Sequence, residues 1–261
     1  MKACFFLLLS LVLHHPQLNA QQNKKKVILA IFAHPDDETA IGPVLAKYAK
    51  ENTVYVVLAT DGRDGTRVTS IPAGDSLAKV RRLEGECSCK ALGIEPPIYL
   101  SATRLDTKIG VGEFFKQAKQ TKEKLKRIIE RLQPDIIITF GPDGDTGHAE
   151  HRVVGGIVTE LLLQESWVER YPLYYFGWTK TQAENQEVDE VMYADEKYLP
   201  IVITYNDEEE AKNGKALHCH KSQYTDKEMK DFVENDKNNK ANRMYFRRFA
   251  VDMTKKTDFF Q

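Results

Sequence analysis

Three features of this 261-residue chain predict an α/β fold built on a central, mainly parallel sheet. Short apolar runs rich in β-branched residues recur at Lys26–Ala33, Thr53–Thr60 and Asp135–Phe140, the composition of strands buried on both faces. Segments with helical spacing lie between them, at about Glu38–Lys50, Asp75–Leu92 and Glu113–Leu132, so strand and helix alternate. Chain breakers agree with these bounds, since Gly93 follows the second helix and Pro134 the third.

The remaining elements follow in order. Pro97–Leu100 reads as a further strand ahead of the third helix. A helix is expected from His148 to about Gln164, then strands near Tyr171–Trp178 and Tyr198–Tyr205, and Asn206–Tyr224 has helical spacing. Thr225–Asn242 is charged and reads as solvent-facing, while Arg243–Asp252 alternates as a strand does. No repeat or low-complexity linker interrupts the chain, so residues 21–261 read as one domain.

Residues 1–20 read as a cleavable secretion signal, with Lys2, an apolar run Ala3–Leu13 and a small-residue site at Leu18-Asn19-Ala20. That run is about half the ~20 residues of a membrane-spanning helix. The expectation is an exported protein with no stable membrane span after cleavage. A formal net charge of −1 lacks the basic excess that binding to a phosphate backbone needs, which excludes nucleic acid as the main partner. With Cys4 in the leader, the three cysteines Cys87, Cys89 and Cys219 remain, and that odd number does not indicate a disulfide framework. On one helix Cys87 and Cys89 would point about 200° apart, poorly placed to pair.

Two clusters carry chemistry. The first, His34-Pro35-Asp36-Asp37-Glu38, falls where the first strand ends, and the carboxyl edge of an open α/β sheet is where ligands bind. His34 and Asp37 can converge on one cation, leaving Asp36 free for proton transfer. The competing reading is that both aspartates cap the following helix. The second, His148-Ala149-Glu150-His151, follows the strand ending at Phe140, with its histidines one helical turn apart. Alone it reads more readily as a solvated first turn; with the first cluster at the same sheet edge it favours a metal site. His34, Asp37 and His151 would supply two nitrogens and one oxygen and leave a position for water, as catalytic zinc is usually held. Asp36 would then be the general base, and His148 would stabilise an oxyanion and protonate a leaving amine.

In these residues the chain resembles the LmbE-like or PIG-L deacetylases. Their first signature, His-Pro-Asp-Asp-Glu, matches His34–Glu38, and their second, His-x-x-His, matches His148–His151, with Ala149 and Glu150 departing from the commonest residues between. The resemblance implies a Rossmann-like, three-layer fold and a zinc-dependent deacetylase, with iron(II) as an alternative ion, acting on an N-acetylglucosamine-type or related small or glycan substrate. It implies His34, Asp37 and His151 on the metal and Asp36 and His148 in catalysis. Arg81, from the family's Arg-x-x-Glu helix, becomes a substrate contact with Glu84 as its partner, and Asp106 a second candidate contact. His220 reads as structural. Alternatives are a metal-dependent phosphoesterase and a catalytically silent sugar-binding protein of the same fold. A dinucleotide site is disfavoured, because carboxylates stand where a pyrophosphate needs glycines. A calcium loop at Asp143–Gly147 would have Val154 at its twelfth position, where glutamate is needed. Tyr174, Tyr175, Phe176 and Trp178 fit either a sugar site or strand core.

Overall fold

The computed structural model describes residues 25–185, 191–238 and 242–258. The leader expected at 1–20 lies outside them. The strands are β1 Val27–Phe32, β2 Thr53–Thr60, β3 Ile98–Ala102, β4 Ile136–Phe140, β5 Leu173–Thr179, β6 Tyr193–Ala194, β7 Ile201–Thr204 and β8 Arg243–Arg248. They lie in the order β3-β2-β1-β4-β5-β8-β7, with the short β6 beside β5. β3 through β5 run parallel, and β8 is antiparallel to both β5 and β7. The predicted mainly parallel sheet is therefore present.

The helices are α1 Gly42–Ala49, α2 Asp75–Leu92, α3 Val111–Leu132, α4 Ala149–Gln164, α5 Lys180–Glu184, α6 Asp207–Leu217 and α7 Asp226–Asn238. α1, α2 and α6 pack on one another, and α3 packs on α4. From β1 the chain steps outward to β2 and β3, then returns across to β4 and β5; right-handed crossovers put the two helix groups on opposite faces. Three layers result, and β1 is sealed: Leu29 to Ala33 are fully buried. The chain diverges between neighbouring β1 and β4, which opens a crevice at their carboxyl ends.

Two local features shape that crevice. β1 is pinned at its end by buried threonines on both flanks: Thr60 Oγ1 donates to Ala33 O at 2.9 Å and Thr139 Oγ1 to Ile31 O at 2.8 Å. On the β4 side, Gly155 lets α4 approach the backbone closely, since a Cβ there would stand 2.4 Å from the Phe140 carbonyl oxygen. The first turn of α4 is thereby drawn over the sheet edge, and His151 stacks on Phe140 with ring centroids 4.0 Å apart.

The C-terminal third departs from expectation. The helix read at Asn206–Tyr224 stops at Leu217, and the chain turns before α7. The stretch Thr225–Asn242 is not simply solvent-facing: it contains α7, whose Met229 is buried and whose Phe232 reaches the central cavity. Its charge masked an apolar face only three residues apart. The last strand ends at Arg248, with Phe249 N still donating to Leu173 O of β5 at 2.9 Å, and residues 250–258 are exposed.

The cysteine reading is also corrected. Cys87 on α2 is bonded to Cys219, 132 residues later, with Cα atoms 5.8 Å apart, while Cys89 is free and buried. The odd count hid a pair because the spare thiol is a core residue. Cys87 and Cys89 do not pair, and they lie on opposite sides of α2, one exposed and one buried. Replacing Cys87 with Ser is expected to lower the unfolding free energy by about 2–5 kcal/mol, the usual cost of losing a native disulfide. Urea unfolding of the oxidised protein lacking residues 1–20 measures this. Thiol titration of that denatured protein should find Cys89 alone, and a second thiol would contradict the bond.

Candidate active site

The first cluster is built by the backbone at the end of β1. Asp37 folds back on the strand, and its Oδ2 accepts from Ala33 N at 2.9 Å and His34 N at 2.7 Å. Neither aspartate caps the helix by its side chain. Asp36 stands at the N-cap of a 3-10 turn, Asp37–Ile41, without a capping bond. Its φ is 110°, a left-handed value that a non-glycine residue adopts only when its surroundings enforce it. Three contacts enforce it. Asp36 N donates to Glu38 Oε2 at 3.0 Å, Asp36 O accepts from Thr39 Oγ1 at 2.7 Å, and Asp36 Oδ1 lies 3.1 Å from Arg81 Nη2.

The second cluster meets it from β4 and α4. His151 Nε2 is 3.1 Å from Asp37 Oδ1, and His34 Nδ1 is 3.5 Å from Asp37 Oδ2. The other nitrogen of each ring is occupied. His151 Nδ1 lies 3.0 Å from Gly144 O, which can only accept, so this nitrogen carries the proton. His34 Nε2 donates to Glu150 Oε2 at 2.8 Å, and Glu150 also accepts from Leu105 N. Both rings thus turn their second nitrogen toward Asp37, whose carboxylate favours a proton or a cation there. His148 caps α4, its Nδ1 accepting from Glu150 N at 3.2 Å.

Ring nitrogens of His34, His148 and His151 lie within 4.8 Å of one another, as do donor atoms of His34, Asp36 and Asp37. The electrostatics agree with a centre that attracts a cation. Burial would lower His34, but Asp37 and Glu150 outweigh it and push the ring up to about 10. Burial would raise Asp37, but His151 and His34 hold it well below the usual carboxylate range. His151 is raised too, with burial outweighed by Asp37. A divalent ion fits this donor set: two imidazoles have their protons committed outward, and a carboxylate faces both. Carboxylate and carbonyl partners of this kind orient metal-binding histidines generally.

His148 differs from its neighbours. Burial and the two nearby histidines lower it to about 4, so it is a neutral imidazole with an N–H to donate. Asp36 is raised by burial, against the pull of Arg81.

Arg81 is buried, and its guanidinium also donates to Gly62 O at 3.0 Å and to Pro35 O. Gly62, at φ 65°, leaves the room this needs, because a Cβ there would overlap the guanidinium. Arg81 lines the cavity, yet its partner is Asp36 rather than Glu84. Glu84 instead accepts from Ser222 N at 2.8 Å and Ser222 Oγ at 2.6 Å. Asp106 caps a short 3-10 turn and holds Arg104 Nε at 2.7 Å; Arg104 lines the cavity and Asp106 does not. His220 is fully buried against Glu38, its Nε2 2.8 Å from Oε1, as a structural histidine. Of the aromatic run only Trp178 lines the cavity, while Tyr175 and Phe176 are core.

The cavity encloses about 420 Å³ over this centre and is walled by residues from the loops after β1 to β5 and from α6 and α7. Sequence reading missed Glu150 as a partner of His34, Arg104 as a wall residue, and Asp145, a buried carboxylate beside Trp178. Only Glu150 carried a signal, by replacing the commoner residue within the second signature.

Comparison with known proteins places the chain in a family. The PIG-L family model, described as GlcNAc-PI de-N-acetylase, matches residues 29–162, just over half of the chain. A 1D-myo-inositol 2-acetamido-2-deoxy-alpha-D-glucopyranoside deacetylase of Corynebacterium diphtheriae is 33% identical over 139 residues, covering 47% of each chain. The chain spans about half the length of the curated relatives it matches. Among solved structures, N,N'-diacetylchitobiose deacetylase from Pyrococcus horikoshii superposes with a TM-score of 0.63 at 20% identity, over 86% of this chain and 84% of that one. The 4-carboxy-2-hydroxymuconate hydratase from Pseudomonas putida superposes at 0.59 and 15% identity, over 89% of this chain and all of the other. These likenesses show a shared fold, and the hydratase shows that the fold does not dictate one reaction.

The outward partner of His34 gives a direct test. Glu150→Ala is expected to weaken zinc binding about 10–100-fold, the typical loss when a residue orienting a metal-binding histidine is removed. Competition against a chromogenic chelator measures this, and unchanged affinity would mean that His34 is not a ligand oriented by Glu150.

Proposed function

We propose, from the premise that this chain belongs to the PIG-L family, that it is an exported, metal-dependent N-deacetylase acting on an N-acetylglucosamine-type or related small substrate. The observation that carries this reading is the convergence of His34 and His151 on Asp37, with Asp36 beside them paired to Arg81. The relatives' deacetylase names support the substrate class. A cavity of about 420 Å³ belongs to the size range that takes small organic ligands.

His34, Asp37 and His151 would hold the ion, zinc or iron(II). When bound, it supplies Lewis acidity for the acyl carbonyl and lowers the pKa of water toward ~7. Asp36 accepts the proton from the attacking water, its carboxylate held in place by Arg81 and its backbone by Glu38. Burial favours the protonated form of Asp36 once it has taken that proton. The same carboxyl can then return it to the amine nitrogen, which must be neutralised before the C–N bond breaks. His148, neutral and with its Nδ1 turned to the backbone, presents an N–H to the developing oxyanion. Of the two jobs expected of His148, oxyanion stabilisation suits a neutral ring best.

The phosphoesterase alternative is weaker. Among the described residues, the clusters able to hold a metal share His34, so they do not make the two centres that clamp phosphoryl oxygens. Export is supported by the disulfide, since such bonds persist in oxidising compartments. Among the described residues no helix is long and apolar enough to cross a membrane.

Metal-depleted protein, assayed on a panel of N-acetylated sugars, is expected to release acetate only when zinc or iron(II) is restored. A metal-loaded protein inert on every member would overturn the deacetylase reading. Asp36→Asn is expected to keep its metal and lose about 10²–10⁴-fold in kcat, the usual worth of a general base. Full turnover in that variant would remove Asp36 from the role.

A further inference from the structure

Asp145 takes no part in the steps above, yet it is a buried carboxylate on the cavity wall. It is held on three sides. Asp145 N donates to Asp143 Oδ1 at 3.3 Å, Asp145 O accepts from Met192 N at 2.6 Å, and Asp145 Oδ1 accepts from the Trp178 indole N–H at 2.6 Å. Asp143 is itself fixed by Arg247 of β8, 2.9 Å away. The backbone of Asp145 has φ 61°, a second non-glycine residue in the left-handed region at this sheet edge. Among the described residues, no donor reaches its second oxygen, Oδ2.

A carboxylate is an acceptor only, so a bound molecule that completes Asp145 must bring a donor. The metal-holding clusters do not include Asp145, and it is anchored to Trp178 on β5 rather than to the β1 residues that face the reacting amide. Burial pushes its carboxyl up to about 6 against the Trp178 bond, which marks a group short of donors. An indole edge beside a fixed acceptor suits a pyranose ring, which carries apolar C–H faces and hydroxyl donors together.

We propose that Asp145 sets substrate specificity: its Oδ2 accepts a hydrogen bond from one ring hydroxyl of the bound sugar, beside the wall made by Trp178. This rests on the deacetylase reading for the nature of the ligand as an N-acetylated sugar. The contact rewards substrates with that hydroxyl and rejects analogues without it, because an acceptor covered by the bound sugar would otherwise stay unpaired.

The test is a cycle of protein and ligand. kcat/KM is measured for N-acetylglucosamine and its single-deoxy analogues, with zinc-loaded wild type and Asp145→Ala of equal zinc content. Asp145→Ala is expected to lose roughly 10–100-fold on the parent sugar, mainly in KM, the worth of one hydrogen bond to a charged group. One deoxy analogue should lose a similar factor with the wild type and nothing more with the variant. Should Asp145→Ala fail to fold, Asp145→Asn keeps an acceptor for Trp178 and should show the same dependence with a smaller loss. Equal activity of variant and wild type, or losses that multiply for every analogue, would overturn the proposal. If zinc-loaded wild type releases no acetate, the deacetylase reading fails by itself, and the same cycle is read by calorimetry as Kd for the intact sugar. Binding coupled to Asp145 would then keep the hydroxyl contact, whereas uncoupled binding or none would overturn it.

Discussion

The carboxylate of Asp37 is the constraint on which the rest of the site depends. One oxygen is fixed by two consecutive backbone amides at the end of β1, so its position is set by the sheet and not by a side-chain rotamer. The other faces His151, which reaches it from α4 because Gly155 lets that helix sit against the end of β4. β1 and β4 are adjacent yet belong to chain segments that run off in opposite directions. The crevice and its donor set are therefore consequences of one topological reversal, closed by one shared acid. A buried carboxylate between two imidazoles is costly unless positive charge accompanies it. This is why the same contacts that raise His34 and His151 and lower Asp37 also define a cation site.

Beneath this centre lies a second charged layer that shapes Asp36. Glu38 is fully buried; Oε1 accepts from Ser88 Oγ at 2.5 Å and lies 2.8 Å from His220 Nε2, while Oε2 accepts from Asp36 N. Burial alone would raise Glu38, but His220 and Ser88 hold it lower, so it serves as a fixed anion. Arg81 grips Asp36 from the side-chain end. The left-handed backbone of Asp36 is thus held from both ends, and its carboxylate lines the cavity beside Asp37. The disulfide reinforces the same layer, for Ser88 and His220 directly follow Cys87 and Cys219 in the chain. α2 and the turn after α6 are joined covalently where they deliver their donors.

Most of this architecture was legible in the sequence. Strand composition, helix spacing and the two histidine clusters at strand ends locate the sheet edge and the residues that meet there. Such signals are local, and β-branched runs and caps act within a few residues of where they are read. What escaped reading depended on long-range juxtaposition. Nothing in Cys87 points to a partner 132 residues away, and an odd count argued against any bond. Arg81 and Glu84, one helical turn apart, suggested a pair, yet Pro35, Gly62 and Ser222 arrive from elsewhere and separate them. α7 read as solvated because charge dominates its composition, although Met229 and Phe232 suffice to seat it. Asp145 sits in a Gly-rich turn, where aspartate is commonplace, and only its burial and its bond to Trp178 distinguish it.

Chemistry and selectivity are assigned to different residues of one cavity. The loops after β1 and β4 carry the donor set, the base and the neutral imidazole, and these residues face whatever bond is to be broken. The remaining wall comes from the ends of β2, β3 and β5 and from α6 and α7, through residues such as Arg104, Trp178 and Phe232. A fold that also carries a hydratase does not dictate one reaction, so the residues on its walls decide it. Here the second wall holds its arginines in ion pairs: Arg63 with Asp61, Arg67 with Glu228, Arg104 with Asp106 and Asp64. Guanidinium groups already neutralised in this way have less to offer an anionic ligand than free ones would. The acceptors are less fully used. A cavity with its cations paired, an open carboxylate oxygen and an aromatic edge favours a neutral, hydroxyl-bearing ligand over a phosphorylated one, which is the chemistry of an N-acetylated sugar.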